Sequence, residues 1–155
     1  MKNIILAIFL MTFFFQIVIA QTQTEIDEQF AIMTIMILAS QVGGNIPLPE
    51  GGVRTSADTY LVRGSGIGGD ERLLVYTTNN ILGVVAGAIT DTGPNTERSF
   101  RLHREALNSP FLQLENATIS ENNIRGTLVT NGRRHRFSME YIPANQQLVI
   151  SVIRQ

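Results

Sequence analysis

The stretch Ile124–Ile142, IRGTLVTNGRRHRFSMEYI, decides the predicted fold. Asn131 and Gly132 stand near its centre, and this dipeptide favours the two positive-φ positions of a type I′ turn. After the turn, apolar or aromatic residues alternate with charged and polar ones, which is the period of a strand with one buried face. The stretch therefore predicts an antiparallel hairpin whose second strand faces a core.

The alternation assigns the residues of this second strand to two faces. The face predicted to be buried holds His135, Phe137, Met139 and Tyr141. The face predicted to meet solvent holds Arg134, Arg136, Ser138 and Glu140. If a cavity remains between this strand and a covering helix, the first four side chains would line it and hold a small apolar ligand.

Outward from the hairpin, strand-like segments recur from residue 59 onward. The further candidate strands are 59–63, 72–78, 82–89, 98–104, 111–119 and 147–153. Short turns that contain asparagine, glycine or proline separate most of them. Parallel neighbours would need longer crossover connections, so strands joined this tightly are predicted to pair antiparallel. With the hairpin, they make a meander of about eight strands.

One helix is predicted ahead of the sheet. Thr24 can cap its start, the acids that follow suit the positive end of the helix dipole, and Gly43-Gly44 ends it. Its body at 30–39, FAIMTIMILA, is apolar on nearly every side, which predicts a helix buried against the sheet. An interfacial or self-associating helix is the alternative, because methionine suits an adaptable contact surface.

These elements predict a single α+β domain, in which a buried amino-terminal helix packs on a mainly antiparallel meander of about eight strands. The meander forms either a curved open sheet or a small barrel. Residues 21–155 suffice for one domain. The chain has no cysteine, which excludes disulfides, thiol catalysis and zinc sites that need thiolates, so packing alone must stabilise the core.

Residues 1–20 follow the three-part plan of a secretory signal peptide. Lys2 supplies a positive charge, an apolar run follows, and Ala20 ends a motif of compact residues. We expect cleavage after Ala20, no transmembrane segment in the mature chain, and secretion to the extracellular space, or to the periplasm or cell surface in a bacterium. An uncleaved anchor is the alternative, since residues 4–20 lie at the short limit for spanning a bilayer.

Arginine supplies all the positive side-chain charge after Lys2, and its distribution is uneven. Residues 21–97 hold three arginines and nine acids, whereas residues 98–155 hold eight arginines and four acids. Either the two halves neutralise each other across one fold, or the second half presents a basic face to an anionic partner. Guanidinium groups bind carboxylates, sulfates and phosphates through paired hydrogen bonds. The candidate anion site consists of Arg101, Arg104, Arg134 and Arg136.

Other motifs favour neither catalysis nor a cofactor. The segment 64–69, GSGIGG, has the glycine spacing of a dinucleotide-binding loop, but a strand-like segment follows where that loop needs a helix. We therefore predict a hairpin there and no cofactor. The chain has only two histidines, His103 and His135, too few for a histidine-rich metal centre, and no GxSxG elbow. A pair of converging carboxylates is the enzymatic possibility that stays open.

We therefore expect a secreted, non-enzymatic binding protein for a small apolar or anionic ligand, without specific nucleic acid recognition. The alternative is an extracellular structural protein of a matrix or surface layer, which self-associates through strand edges and the apolar helix. Asn116 begins the sequence Asn-Ala-Thr and is a potential N-glycosylation site if the chain passes through the endoplasmic reticulum.

Overall fold

A computed structural model describes residues 2–44 and 46–155 of the chain, with side chains from residue 22 onward except at residue 45. These residues form two α-helices, α1 at Lys2–Gln41 and α2 at Thr96–Ala106, with eight strands. The strands are β1 Val53–Arg54, β2 Thr59–Ser65, β3 Glu71–Asn79, β4 Gly83–Thr92, β5 Gln113–Ile119, β6 Asn123–Thr130, β7 Arg133–Ile142 and β8 Gln147–Arg154.

All eight strands belong to one antiparallel sheet, in the order β1-β2-β3-β4-β8-β7-β6-β5. The predicted α+β class is confirmed. Of the two predicted alternatives, the curved open sheet is present and the closed barrel is not, because β1 and β5 are unpaired edges. A helix followed by a four-strand meander occurs twice, and the last strands of the two meanders, β4 and β8, pair at the centre.

Both helices pack on the same face of the sheet. The core lies between them and the sheet, and its largest fully buried apolar side chains are Ile35, Leu38, Tyr76, Ile89, Ile124, Leu128, Phe137, Met139, Leu148 and Ile150. The alternation predicted for β7 is confirmed, since His135, Phe137 and Met139 are buried while Arg134 and Arg136 are exposed. The core therefore includes the strand from which the fold was predicted.

Helix α1 begins earlier than its sequence predicts. The predicted start at Thr24 is wrong, because α1 already runs through this residue, whereas the predicted end before Gly43 and Gly44 is confirmed. Burial is also one-sided. The buried apolar side consists of Ala31, Ile35, Leu38 and Ala39, and the exposed apolar side, which we call the α1 stripe, consists of Ile26, Phe30, Met33 and Ile37.

No helix in the part of the chain that the structure describes is both long and apolar enough to cross a membrane.

The strand predicted at 98–104 is wrong, because these residues lie in α2. The buried positions of α2 include Thr96, Ser99, Phe100, His103 and Ala106, which have the three- and four-residue spacing of a helix face. Ser99 and His103 are polar, so they hide this period in the sequence. Phe100 and Leu102, separated by an arginine, then imitate the alternation of a strand.

A buried ion pair connects the sheet to both helices. Arg72 of β3 donates two hydrogen bonds to the carboxylate of Asp91 in β4, at 2.6 Å from Nε to Oδ1 and 2.7 Å from Nη2 to Oδ2. Nη1 of Arg72 also donates to Oγ1 of Thr34 in α1, at 3.2 Å. Oγ of Ser99 in α2 donates to Oδ2 of Asp91, at 3.4 Å. One guanidinium and one carboxylate thus fix four elements relative to one another.

The glycine-rich segment 64–69 connects β2 to β3, so a strand follows it as predicted. Its path runs close to the buried pair, because a Cβ at Gly66 would lie 2.9 Å from the carboxylate carbon of Asp91. Gly68 has a φ of +71°, and a Cβ there would lie 2.5 Å from Cγ of Asn95. These two glycines let the loop pack against Asp91 and the start of α2.

Breaking the buried pair should destabilise the fold far more than breaking an exposed pair. Asp91→Asn leaves Arg72 charged and buried without its carboxylate, so we expect the free energy of unfolding to fall by about 3–5 kcal/mol. Urea unfolding followed by circular dichroism measures this difference. The control is Glu71→Gln, which removes the exposed pair between Arg63 and Glu71 at 3.0 Å and should cost less than about 1 kcal/mol. Equal losses would contradict the central role of Arg72 and Asp91.

Candidate functional site

The four arginines of the predicted anion site lie on opposite sides of the sheet. Arg101 and Arg104 lie in α2, which covers the face formed by the buried residues of β7. Arg134 and Arg136 alternate with those buried residues, so they point to the other face. Arg134 forms an ion pair with Glu115 of β5 at 2.7 Å. The structure therefore does not gather these four guanidinium groups into one site.

The residues predicted to line an apolar cavity are mostly core residues. Phe137 and Met139 are buried, and the ring of Tyr141 stacks with that of Phe100 in α2, with 6.0 Å between ring centroids. Helix side chains thus occupy space in which an apolar ligand was expected. His135, at the beginning of β7, differs from the other three because it lines two cavities.

His135 lies at two adjoining cavities near the carboxyl end of α1, and both are also lined by Arg133. The first, which we call the α1-end cavity, has a volume of about 290 Å³, and its other lining residues are Ala39, Ser40, Ile46, Thr130 and Asn131. The second, the arginine cavity, has a volume of about 430 Å³, and its other lining residues are Gly43, Arg134, Arg154 and Gln155. We call the two together the His135 cleft.

Three chain segments meet at this cleft for local reasons. Helix α1 ends, the hairpin between β6 and β7 turns, and β8 ends at Arg154. The turn residues Asn131 and Gly132 have φ values of +50° and +73°, as the predicted type I′ turn requires. His135 is the register partner of Arg154 across β7 and β8. Directly opposed residues of antiparallel strands point to the same face, so these two side chains are neighbours.

Backbone carbonyls, rather than carboxylates, hold two of the arginines. Nη1 of Arg133 donates to the carbonyl oxygen of Gly43 at 3.4 Å, and Nη1 of Arg154 donates to that of Leu82 at 3.0 Å. Each guanidinium has five N–H donors, so these bonds orient the groups and leave other donors available. Among the described residues, no acidic side chain lines either cavity. The cleft thus carries positive charge that its own lining does not neutralise.

His135 is a buried polar side chain whose nitrogens lack partners. It is 2% exposed, and neither Nδ1 nor Nε2 forms a hydrogen bond within the described part of the chain. Burial, together with the charges of Arg133 and Arg154, lowers the pKa of His135 below its ordinary value. An unsatisfied buried polar group costs roughly 1–3 kcal/mol. The cleft therefore combines an unsatisfied buried imidazole with two neighbouring cationic groups.

The other histidine belongs to the buried network. His103 is fully buried in α2, and its Nδ1 lies 2.7 Å from the carbonyl oxygen of Ser99, which assigns the proton to Nδ1. Burial lowers the pKa of His103 to about 4. Asp91, Ser99 and His103 have the chemical types of a hydrolytic triad, but Ser99 stands between the other two and all three are buried. These three residues lie in the core and line none of the three cavities described for this part of the chain.

Two of the acidic side chains that could have formed the carboxylate pair of a hydrolase have structural partners. Asp91 is paired with Arg72, and Oδ2 of Asp70 accepts a hydrogen bond from the backbone N–H of Asn95 at 2.9 Å. A search of the described residues finds no group of three or more metal-ligating side chains. Neither observation identifies a catalytic site.

A third cavity, of about 220 Å³, lies between α1 and the sheet. Its lining is almost entirely apolar and includes Phe30, Met33, Ile37, Leu74, Tyr76 and Ile89. The hydroxyl of Tyr76 donates to Oε1 of Gln41, and burial raises the pKa of Tyr76 to about 12. This groove adjoins the α1 stripe and offers apolar contact area without a free polar group of the kind that His135 provides.

Asn116, the predicted glycosylation site, is exposed in the edge strand β5. It has a φ of +51° and lies where the register between β5 and β6 shifts. Glycosylation at this position stays a prediction.

A scan against protein-family models, a search of curated proteins and a search of solved structures each found no match to this chain.

His103 should make the protein less stable as the pH falls. Its pKa is about 4 in the folded chain and about 6.5 when unfolded, so between these values the unfolded state binds a proton that the folded state does not. The free energy of unfolding should fall by roughly 3 kcal/mol from pH 7 to pH 4 on this account. Urea unfolding across this range, compared between the wild type and His103→Leu, isolates the contribution.

His135→Leu is the matched control. Burial also lowers the pKa of His135, but this histidine lies outside the network around Asp91, so its removal should leave most of the pH dependence of the unfolding free energy in place. An NMR titration of wild-type His103 gives an independent measurement if the His103 variant does not fold. A midpoint near 6.5 for that resonance would contradict the buried, neutral state.

Proposed function

We propose that the protein is a secreted, non-enzymatic binding protein whose ligand is a small anion held in the His135 cleft. The carrying observation is that Arg133 and Arg154 line one cavity without an acidic side chain, next to a buried histidine with two unpaired nitrogens. The secretory part of the proposal rests on the signal-like residues 1–20. The non-enzymatic part is supported by the burial of Asp91, Ser99 and His103.

The electrostatics of the cleft favour an anion. A charge-assisted hydrogen bond contributes about 1.5–3 kcal/mol, and both Arg133 and Arg154 retain donors for such bonds. The carboxyl end of α1 opposes an anion through the helix dipole, but this effect is typically below about 1 kcal/mol, and Arg133 already contacts that end. Two guanidinium groups therefore outweigh one helix end.

Each cleft residue has a distinct role in this proposal. Arg133 lines both cavities and contacts the ligand from their shared side, while Arg154 contacts it in the arginine cavity. Arg134 contributes less, because Glu115 already pairs with it. His135 lies beside these groups and takes up a proton when the bound anion offsets the charges of Arg133 and Arg154.

Removal of either cleft arginine should weaken anion binding selectively. We expect Arg133→Ala and Arg154→Ala each to weaken sulfate binding by about 10-fold or more, the equivalent of one charge-assisted hydrogen bond. Isothermal titration calorimetry at low ionic strength measures this. The matched controls are Arg101→Ala and Arg136→Ala, which remove the same charge at exposed positions outside the cleft and should change affinity less than about twofold.

The same titration should depend on pH. A bound anion raises the pKa of His135 towards or above its ordinary value, so binding takes up a proton and affinity rises as the pH falls from about 7.5 to 5.5. Sulfate keeps its charge across this range, which assigns the effect to the protein. His135→Leu should remove the dependence. Equal weakening in all four arginine variants, with no pH effect, would reject the cleft as the site.

A second function, self-assembly outside the cell, is favoured by the α1 stripe. Its residues follow the four-three-four spacing of a coiled-coil seam, and their exposure ranges from 38% for Phe30 to 57% for Met33. Aligned apolar residues on a helix are usually covered by a partner. A second copy of α1 would provide a matching surface.

Self-assembly predicts oligomers whose population rises with protein concentration. Met33→Glu places a charge in the middle of the stripe and should shift the association to at least about 10-fold higher concentration. Sedimentation velocity over a concentration series measures this. Ile81→Glu is the control, because Ile81 is 90% exposed outside the stripe. A wild-type protein that stays monomeric at every concentration would contradict this function.

A further inference from the structure

The two cavities of the His135 cleft differ in chemistry although they adjoin. The arginine cavity is lined by three arginines, Arg133, Arg134 and Arg154. Arg133 is the one arginine that the α1-end cavity shares with it. The remaining lining of the α1-end cavity combines apolar side chains with uncharged hydroxyl and amide groups, namely Ala39, Ile46, Ser40, Thr130 and Asn131. The arginine cavity suits an anionic group, and the α1-end cavity suits the uncharged part of an organic molecule.

The size of the α1-end cavity also exceeds what a simple ion requires. A volume of about 290 Å³ corresponds to roughly ten non-hydrogen atoms, at about 30 Å³ for each water-sized group. An inorganic ion in the arginine cavity would leave Ile46, which is 41% exposed, in contact with water. A ligand that continues from the anionic group past Arg133 and His135 would cover this surface.

We propose that the ligand is an organic anion that spans the cleft, with its carboxylate or phosphate in the arginine cavity and an uncharged portion of about ten non-hydrogen atoms or fewer in the α1-end cavity. This inference rests on the proposed function and adds the class of ligand to it. Arg133 and His135 stand where the two portions join, since both residues line both cavities.

The uncharged portion itself has mixed character. Ile46 provides apolar contact, while Ser40 and Asn131 offer hydrogen bonds to a hydroxyl or amide group. A short carbon chain with one or two polar substituents matches this lining better than a fully apolar tail. The groove beside the α1 stripe, whose lining is almost entirely apolar, has the opposite character.

A series of phosphates with one anionic group and a growing chain tests the inference on the full-length mature protein. The probes are inorganic phosphate, methyl phosphate and butyl phosphate, titrated by calorimetry at constant pH and ionic strength. Each methylene that leaves water is worth about fourfold in affinity when fully buried. Because half of the lining is polar, we expect butyl phosphate to bind about 10-fold tighter than methyl phosphate. Acetate against pentanoate is the parallel arm for a carboxylate.

The variant Ile46→Asn tests whether the alkyl chain of the ligand lies in the α1-end cavity. Ile46 is partly exposed in the loop after α1, so the substitution leaves the core intact. It should remove most of the gain of butyl phosphate over methyl phosphate, and leave the affinity for inorganic phosphate within about twofold. Ile81→Asn is the matched control, because it removes an exposed isoleucine outside the cleft and should leave every affinity unchanged.

The outcomes separate this inference from the proposed function. Equal affinity for all three phosphates, with loss in Arg133→Ala, keeps anion binding and overturns the organic ligand. If affinity still rises with alkyl chain length in Ile46→Asn, the organic ligand is also overturned, because the alkyl chain then lies outside the α1-end cavity. Failure of every probe to bind rejects the proposed function itself. A chain-length gain that Ile46→Asn removes supports both.

Discussion

The buried pair between Arg72 and Asp91 is the constraint on which the rest of the structure depends. Two charges are removed from water in the core, which is tolerable only while each keeps its partner and its further hydrogen bonds. Thr34 of α1 and Ser99 of α2 supply such bonds, so both helices must lie on the same side of the sheet as the pair. The position of α1 then determines where its carboxyl end meets the hairpin before β7, and hence where the His135 cleft opens.

The parts of the fold that depend on local sequence could be predicted, and those that depend on distant pairing could not. Asn131-Gly132 fixes its own turn through backbone conformation, and β7 alternates because one of its faces is buried. The pairing of β4 with β8, which leaves the sheet open, joins strands more than fifty residues apart and has no local signal. The same reason explains why Arg154 was missed as a site residue, since only the register of β7 and β8 places it beside His135.

The two histidines show why residue type alone does not identify a site. His103 and His135 are both buried, and burial lowers the pKa of each. His103 donates to a carbonyl within its own helix, and its surroundings belong to a network that holds four elements together. His135 has no such bond among the described residues, and the groups beside it are cationic. The alternation of β7 predicted the burial of His135 correctly, but the missing partners are visible only in three dimensions.

The α1 stripe and the His135 cleft differ in how narrowly they restrict the chemistry of a binding partner. The stripe offers apolar area at regular spacing, and apolar area attracts many partners with little discrimination. The cleft combines oriented guanidinium donors, an imidazole with unpaired nitrogens and two cavities of unequal polarity. Under the proposed function, a ligand without anionic oxygens would displace water from the guanidinium donors without replacing its hydrogen bonds, and the cost of unpaired polar groups is what rejects wrong ligands most strongly. Because the two surfaces lie on different parts of α1, self-association through the stripe would leave the cleft accessible, so the two proposals are compatible, and anion binding is the one that rests on the more specific arrangement of polar groups.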